Sequence, residues 1–293
     1  MATREKKLKR RARPDADSRN YKDIEKRFMD VRDIENDNNV VLYGPAGTGK
    51  TTLACTFPKP ILLMDVNEKG TDSVKDQEDI KVIHIKEWQD LESVYWFLKK
   101  NPGKFKTLVW DTITQSMRMS IRKTMEEAGK DVNDARLGDW GSVNRKQWGD
   151  IAGRMGSWVT NFRDLEGINV VYLAHDRVNK EDDDGENEGI QPMVGPRVSP
   201  SVASVLDAGV NIIGSMFIRE TIKKKKVGPK KNKIKVIRKV QYCMRLGPHA
   251  HYITKIRSPK KSVPPDVLVD PTYEDLKKII DGVAFGGKHN DGD

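Results

Sequence analysis

Val40-Val41-Leu42-Tyr43-Gly44-Pro45-Ala46-Gly47-Thr48-Gly49-Lys50-Thr51-Thr52 is the stretch whose reading decides the fold. A short apolar run ends in a glycine-rich turn, and Thr51 to Phe57 behind it reads as a helix. Gly44, Gly47 and Gly49 let successive backbone N–H groups face an anion. Lys50 is long enough to reach a β- or γ-phosphate, and the Thr51 hydroxyl suits magnesium. The run from Gly44 to Thr52 is therefore predicted to bind ATP with Mg2+, the phosphates lying at a helix N-terminus.

Outward from this loop, Ile61 to Asp65, Lys81 to Ile85, Thr107 to Asp111 and Asn169 to Ala174 read as strands. Trp88 to Lys100, Ile113 to Ala128 and Trp148 to Leu165 read as helices. Apolar strands alternating with helices predict an α/β fold, a mostly parallel sheet covered on both faces. Pro192 to Pro200 is expected to be irregular chain. Beyond it Val210 to Arg219, Ile234 to Leu246 and His251 to Arg257 read as strands of a C-terminal antiparallel extension, with a basic hairpin over about 219–246. Thr272 to Gly282 is predicted to be a final helix capped by Thr272, with Asp275 in its first turn. Residues 1–20 are expected to be a disordered basic tail and 21–38 a helix (Tyr21 to about Ile34) with its linker. The core domain is expected over 39–283, and 284–293 as a frayed tail.

Composition excludes some classes. No apolar run approaches the roughly 18 residues a membrane span needs, and the basic N-terminus is not followed by the apolar stretch of a secretory signal. A non-membrane, cytoplasmic protein is expected. Cys55 and Cys243 stand far apart without a CxxC or Cys/His cluster, which argues against a zinc site or a disulfide framework. The net charge of +10 is local: residues 1–13 carry seven Lys/Arg and one Glu, and 223–239 carry ten Lys/Arg and no acid. The rest of the chain is mildly acidic. Such blocks read either as solvated tails and loops or as a polyanion-binding surface.

An acid at the end of a strand near the loop is needed to hold magnesium, and Asp111 is the candidate; the alternative is a strand-terminal Asp that caps the next helix. AAA+ proteins usually place a glutamate directly after this acid, where this chain has Thr112, so a base for the attacking water must come from another strand. Glu68, just after the strand ending at Asp65, fits that need, with Asp65 as its rival and a solvated loop carboxylate as the bland reading.

Together these residues resemble the RecA-like ATPases, most closely the phage branch that includes single-strand-annealing proteins. The resemblance spans roughly Asn39 to Gly282 and runs through VVLYGPAGTGKTTLA, FPKPILLMDVNEKG, TLVWDT, INVVYLAHDR and YITKIRSP. RecA-like strands commonly read Asp-x-Glu-Gly where this chain has Asp65-Val66-Asn67-Glu68-Lys69-Gly70, one residue longer. The resemblance implies a RecA-like P-loop core that hydrolyses ATP, with His175 at the place of a γ-phosphate sensor. It also implies that Lys255 and Arg257 match a Lys-x-Arg pair inserted into a neighbour's nucleotide site, hence a homo-oligomeric ring or filament.

RecA-like proteins grip single-stranded DNA through loops that correspond here to Val132–Arg145 and Asn179–Ser199. The second is acidic from Glu181 to Glu188. Arg197 and the lysine run (Lys223, Lys224, Lys225, Lys226, Lys230, Lys231, Lys233 and Lys235) are the alternative DNA-binding residues. No aromatic residue interleaves the run, so salt-sensitive, sequence-independent backbone contact is expected. The expected function is a DNA-stimulated ATPase in phage recombination or strand annealing, in the host cytoplasm, with a single-strand-binding protein as a possible partner. The rivals are a helicase or loader motor, a small-molecule kinase, for which no arginine-bearing lid is visible, and a nucleotide-dependent scaffold with little turnover.

Overall fold

The computed structural model describes residues 24, 26–30, 37–129, 143–179, 193–227, 233–259 and 264–283; side chains at 223–227 and 233–237 are not described. The chain divides into two units, Met1–Asn36 and Asp37–Asp293. Most of the first unit lies outside the described residues, including the expected basic tail. The predicted helix over 21–34 is not continuous: residues 28–30 are non-helical. Phe28 and Met29 are exposed, so no apolar burial offsets the cost of ordering a short helix there.

The second unit is built on strands β1 (Asn39–Tyr43), β2 (Ile61–Asp65), β3 (Ile80–His84), β4 (Thr107–Asp111), β5 (Asn169–Ala174) and β8 (Ile212–Val227). A separate two-stranded ribbon is made by β6 (Asp176–Asn179) and β7 (Met193–Pro196). The main sheet continues with β9 (Lys233–Arg245), β10 (Lys255–Ile256) and β11 (Val267–Val269). Its order is β11-β9-β8-β1-β5-β4-β2-β3, with β10 also on β8. Every pair from β3 to β8 is parallel, whereas β9, β10 and β11 join antiparallel. This is the expected α/β architecture, a mostly parallel sheet with a C-terminal antiparallel extension, and β5 separates the P-loop strand β1 from β4.

Side-chain alternation along the central strands divides the core in two. Val41, Tyr43, Leu62, Met64, Leu108, Trp110, Val170 and Tyr172 face α2 (Trp88–Lys100), α3 (Ile113–Glu127), α4 (Arg145–Arg163) and α5 (Pro200–Gly209). Val40, Leu42, Ile61, Leu63, Val109, Val171 and Leu173 face α1 (Lys50–Ala54) and α6 (Tyr273–Ile280). Apolar residues at both parities are what a sheet covered on two sides requires.

The structure corrects four further expectations. The helix behind the P-loop is one short turn, Lys50–Ala54, rather than 51–57. Pro58 disfavours helical backbone at Phe57, and the Thr56 hydroxyl turns back to the Leu53 carbonyl at 2.7 Å. The segment 192–200 is not irregular: Met193–Pro196 forms β7, and Pro200 opens α5 with Ser199 as its N-cap. Proline reads as a breaker in sequence but is favourable at the first helical position. The strand expected over 251–257 shrinks to Lys255–Ile256, whereas β8 runs further than expected, to Val227.

Candidate nucleotide and magnesium site

Parallel pairing brings the carboxyl ends of the strands to one edge. Asp65 lies beside Asp111 in register and Tyr43 beside Ala174, so the P-loop, the Glu68 loop, Asp111 and His175 converge there. A cavity of about 790 Å³ opens among them. It is lined by Gly47, Lys50 and Thr51 of the loop, by Glu68, Asp111, Thr112 and His175, and on the far side by Tyr242 and Thr272.

The loop is held in shape by its glycines and by Thr48. Gly44 sits at φ +151, and a Cβ there would lie 2.3 Å from the Met216 carbonyl oxygen, so no larger residue fits. The Thr48 hydroxyl donates to the Pro45 carbonyl at 2.8 Å. Lys50 is buried and its ammonium donates to the carbonyls of Gly44 (2.8 Å) and Pro45 (2.7 Å). Burial pushes its pKa down, opposed by the carboxylates of Asp111, Asp176 and Glu68.

The Thr51 hydroxyl donates to Asp111 Oδ2 at 2.8 Å, which places a hydroxyl and a carboxylate oxygen side by side at the head of the loop. That donor set fits a magnesium ion, a hard cation that takes oxygen ligands. Asp111 is 6% exposed, and burial pushes its carboxyl up to about 6, with Thr51 and Lys50 opposing and the Glu68 charge adding to the rise. In the nucleotide-free protein the folded state therefore holds one more proton than the unfolded chain between about pH 4 and 6. Stability falls as pH rises through that window and is flat above it. The shift corresponds to roughly 3 kcal/mol. Asp111→Asn is expected to recover up to about that much at pH 8 and little at pH 4, in urea unfolding followed at both pH values, while abolishing magnesium-dependent turnover.

Glu68 is gathered to the same edge from the loop after β2. Its Oε1 accepts from Thr112 Oγ1 at 3.1 Å and from His175 Nε2 at 2.9 Å. The bond from His175 is the main cause that holds its pKa below the ordinary value, against a smaller upward push from burial. Thr112 also caps α3, accepting from the Gln115 N–H at 3.2 Å, and Thr114 Oγ1 accepts the His175 backbone N–H at 3.1 Å.

Asp65, the rival base, is committed elsewhere: Oδ1 accepts the backbone N–H groups of Glu68 (2.9 Å) and Lys69 (3.2 Å), and Oδ2 faces His84 Nδ1 at 3.0 Å. It shapes the loop that carries Glu68. Lys255 and Arg257 do not line their own chain's cavity. Lys255 Nζ donates to the Asp207 carbonyl, and Arg257 Nη2 to the Ala208 carbonyl at 2.6 Å, so both cap the carboxyl end of α5. Arg197 is exposed, its backbone N–H on the His175 carbonyl at 2.8 Å. Lys223, Lys224, Lys225, Lys226, Lys233 and Lys235 lie on the β8–β9 hairpin, with Lys225 across from Lys235. Lys230, Lys231 and the loops 132–142 and 180–192 lie outside the described residues.

A family model described as AAA domain matches residues 36–258, a span that holds the P-loop, Glu68, Asp111, His175 and the Lys255/Arg257 pair. The chain belongs to the AAA domain family. It is thus a P-loop ATPase-family domain. This AAA domain is similar to the RadB recombinase structure, with 14% identity, 63% of this chain and 79% of that chain covered, and a TM-score of 0.34. It is also similar to the flagellar accessory protein FlaH from Methanocaldococcus jannaschii, with 8% identity, 82% and 92% covered, and a TM-score of 0.32. No curated protein matches the chain. Among the described residues of this AAA domain, no helix is long and apolar enough to cross a membrane.

Sequence reasoning missed the far wall of the cavity, Met216, Tyr242, Asp270, Pro271 and Thr272. Met216 and Tyr242 stand on strands whose sequence shows only β patterning. Their position opposite the P-loop comes from β8 pairing with β1 and β9 with β8, and from Tyr242 approaching Gly49. Thr112 was missed as a partner of Glu68 for the same reason: the start of α3 brings it to a loop more than 40 residues earlier.

Proposed function

We propose that this AAA domain is an ATPase that acts on single-stranded DNA, in phage recombination or strand annealing. The observation that carries this reading is that one hairpin serves both ends of the process. Met216 and Tyr242 at the base of β8 and β9 line the nucleotide cavity, and the same two strands carry the lysines towards the turn. From Met216 to Lys226 is ten residues, roughly 34 Å of extended chain. Binding at the lysines and binding at the nucleotide therefore act on one two-stranded ribbon.

In this reading the P-loop N–H groups and Lys50 hold the phosphates, with Thr51 and Asp111 holding magnesium. The ion, when bound, neutralises charge developing on the transferred phosphoryl group. Glu68 orients the attacking water and accepts its proton. In the nucleotide-free site two donors, Thr112 and His175, hold the Glu68 charge, which makes it a poor base. His175 exchanging Glu68 for a γ-phosphate releases one of them, which ties catalytic competence to the presence of triphosphate. Tyr242 and the Asp270-Pro271-Thr272 turn, which line the far side of the cavity, would form the wall for the nucleobase. Assembly into a ring or filament brings Lys255 and Arg257 to a neighbour's nucleotide, once they leave the end of α5.

The test is ATP hydrolysis by the full chain with and without oligo-dT, at low and moderate salt. Stimulation by single strands that fades as salt rises is expected. Replacing Lys223, Lys224, Lys225 and Lys226 by glutamine is expected to weaken oligo-dT binding, read by fluorescence anisotropy, by about tenfold or more and to flatten its salt dependence. Hydrolysis indifferent to DNA would redirect the reading to a kinase or a protein-remodelling motor, and stimulation only by forked duplexes to a helicase or loader.

A further inference from the structure

The β8–β9 hairpin has two chemically different faces. Its strands pair residue for residue from Ser215 and Arg245 outward, so alternate residues share a face. Met216, Ile218, Ile222, Val240 and Tyr242 fall on the face towards the nucleotide cavity, where Glu220 meets Arg238 at 3.7 Å. The opposite face presents Phe217, Arg219 and Thr221 of β8 beside Lys239, Gln241 and Arg245 of β9, with no acid among the described residues. Arg219 and Lys239 are exposed. Among the described residues, neither they nor Arg245 pair with a carboxylate. Lys223, Lys225 and Lys235 continue the same alternation towards the turn. Strand β1 accompanies β8 only to Ser215, and β11 accompanies β9 only from Cys243. Beyond those points, among the described residues, the ribbon has no strand beside it.

At the foot of the cationic face a loop brings rings onto the ribbon. The Arg245 guanidinium lies 4.5 Å from the centre of the Phe217 ring and 4.1 Å from that of Tyr252. His249 meets the Tyr252 ring edge-on at 4.9 Å, and the His251 ring lies 5.6 Å from His249. The His251 backbone N–H donates to His249 Nδ1 at 3.0 Å, which fixes the first imidazole. The loop is also pinned to β7: the Val194 N–H donates to the His251 carbonyl at 2.6 Å, and the Ile253 N–H to the Val194 carbonyl at 2.9 Å. Both imidazoles are nevertheless exposed. Rings held in place yet open to solvent offer a ligand their π faces at little further cost in ordering.

We propose that single-stranded DNA runs along this face of the hairpin, its phosphates on Arg219, Lys239 and the lysines beyond, and its bases stacked on His249 and His251 at the foot. The inference rests on the single-stranded-DNA reading above and adds to it where the bases are held. Cations alone bind any phosphate backbone, single-stranded or duplex. Bases in a duplex are already stacked on one another, whereas an unpaired base has a π face free for an aromatic side chain. The lysine run contains no aromatic residue, so by itself it does not tell the two apart. The foot of the ribbon supplies that distinction. Tyr252, which holds Arg245 against Phe217, is a positioning residue that fixes the histidine loop to the ribbon.

The experiment measures, by fluorescence anisotropy across a salt series, binding of the full chain to oligo-dT, to an abasic oligomer of the same length and to a duplex. Wild type is compared with three double variants: His249→Ala with His251→Ala, His249→Phe with His251→Phe, and Arg219→Gln with Lys239→Gln. All four residues are exposed, so the replacements leave the fold intact, which thermal melts establish. Wild type is expected to prefer oligo-dT to the abasic oligomer by about tenfold or more. The alanine pair is expected to lose most of that preference with an unchanged salt slope, and the phenylalanine pair to keep it, which separates stacking from charge. The glutamine pair is expected to weaken binding of every ligand by about tenfold or more and to lower the salt slope for single strands by about 1.4. Oligo-dT binding in which the alanine pair keeps the full preference, or the glutamine pair keeps wild-type affinity and slope, overturns the inference and leaves the single-strand reading standing. A wild type that binds the abasic oligomer or the duplex as tightly as oligo-dT assigns the face to polyanions in general and also overturns it. A wild type that does not bind oligo-dT overturns both.

Discussion

Replacing Lys50 by alanine is expected to lower ATP hydrolysis by about 10²–10³-fold or more, the effect of removing one preorganised charge from a dry site. The ammonium sits 8% exposed, tied to the Gly44 and Pro45 carbonyls, and both bonds must be given up when phosphate oxygens arrive. Those carbonyls hold the side chain folded along the loop, so it is in place before the nucleotide binds. The same burial depresses its pKa, a sign that the charge is kept there at a cost to the empty protein. The alanine variant is therefore expected to unfold within about 1 kcal/mol of wild type. Kinetics at saturating ATP together with a urea melt check both halves. A large loss of stability would mean that Lys50 holds the loop rather than the substrate.

Glu68→Gln is the second large effect, a fall in kcat of about 10²–10⁴-fold with nucleotide affinity nearly unchanged. The amide keeps the size of the carboxylate but cannot accept a proton. Its carbonyl oxygen can still accept from His175 Nε2 and Thr112 Oγ1, the two groups bonded to Glu68 Oε1 in wild type, so the loop stays in place. Single-turnover hydrolysis and binding of a fluorescent ATP analogue separate chemistry from affinity. Unchanged turnover would remove Glu68 from the mechanism and favour a nucleotide-dependent scaffold. Asp65 is no substitute, because its two oxygens are taken by the loop backbone and by His84.

The parallel core was legible because its signals are local. The strands β1, β2, β4 and β5 are continuous apolar runs, and doubly covered strands need apolar residues at both parities, so period and length sufficed. Helix α6 was legible from its cap: Thr272 and Asp275 form the capping box. Helix α5 was hidden by Pro200, a residue that ends helices from inside and starts them from the first position. The pairing of Lys255 and Arg257 was legible as two cations on one strand face. Their partners were not, since the carbonyls of Asp207 and Ala208 belong to that unexpected helix.

The sequence by itself determined the phosphate-binding loop, the order of strands and helices from β1 to β5, and which acids end up at the carboxyl edge. Each depends on residue spacings of a few positions, and backbone geometry turns such spacings into shape directly. Tertiary structure alone decided that Glu68 is held by His175 and Thr112, that Asp65 serves the loop instead, and that Tyr242 closes the cavity. The contacts of Glu68 and of Tyr242 join residues some 40 to nearly 200 positions apart, and only strand order and register bring them within hydrogen-bonding or packing distance.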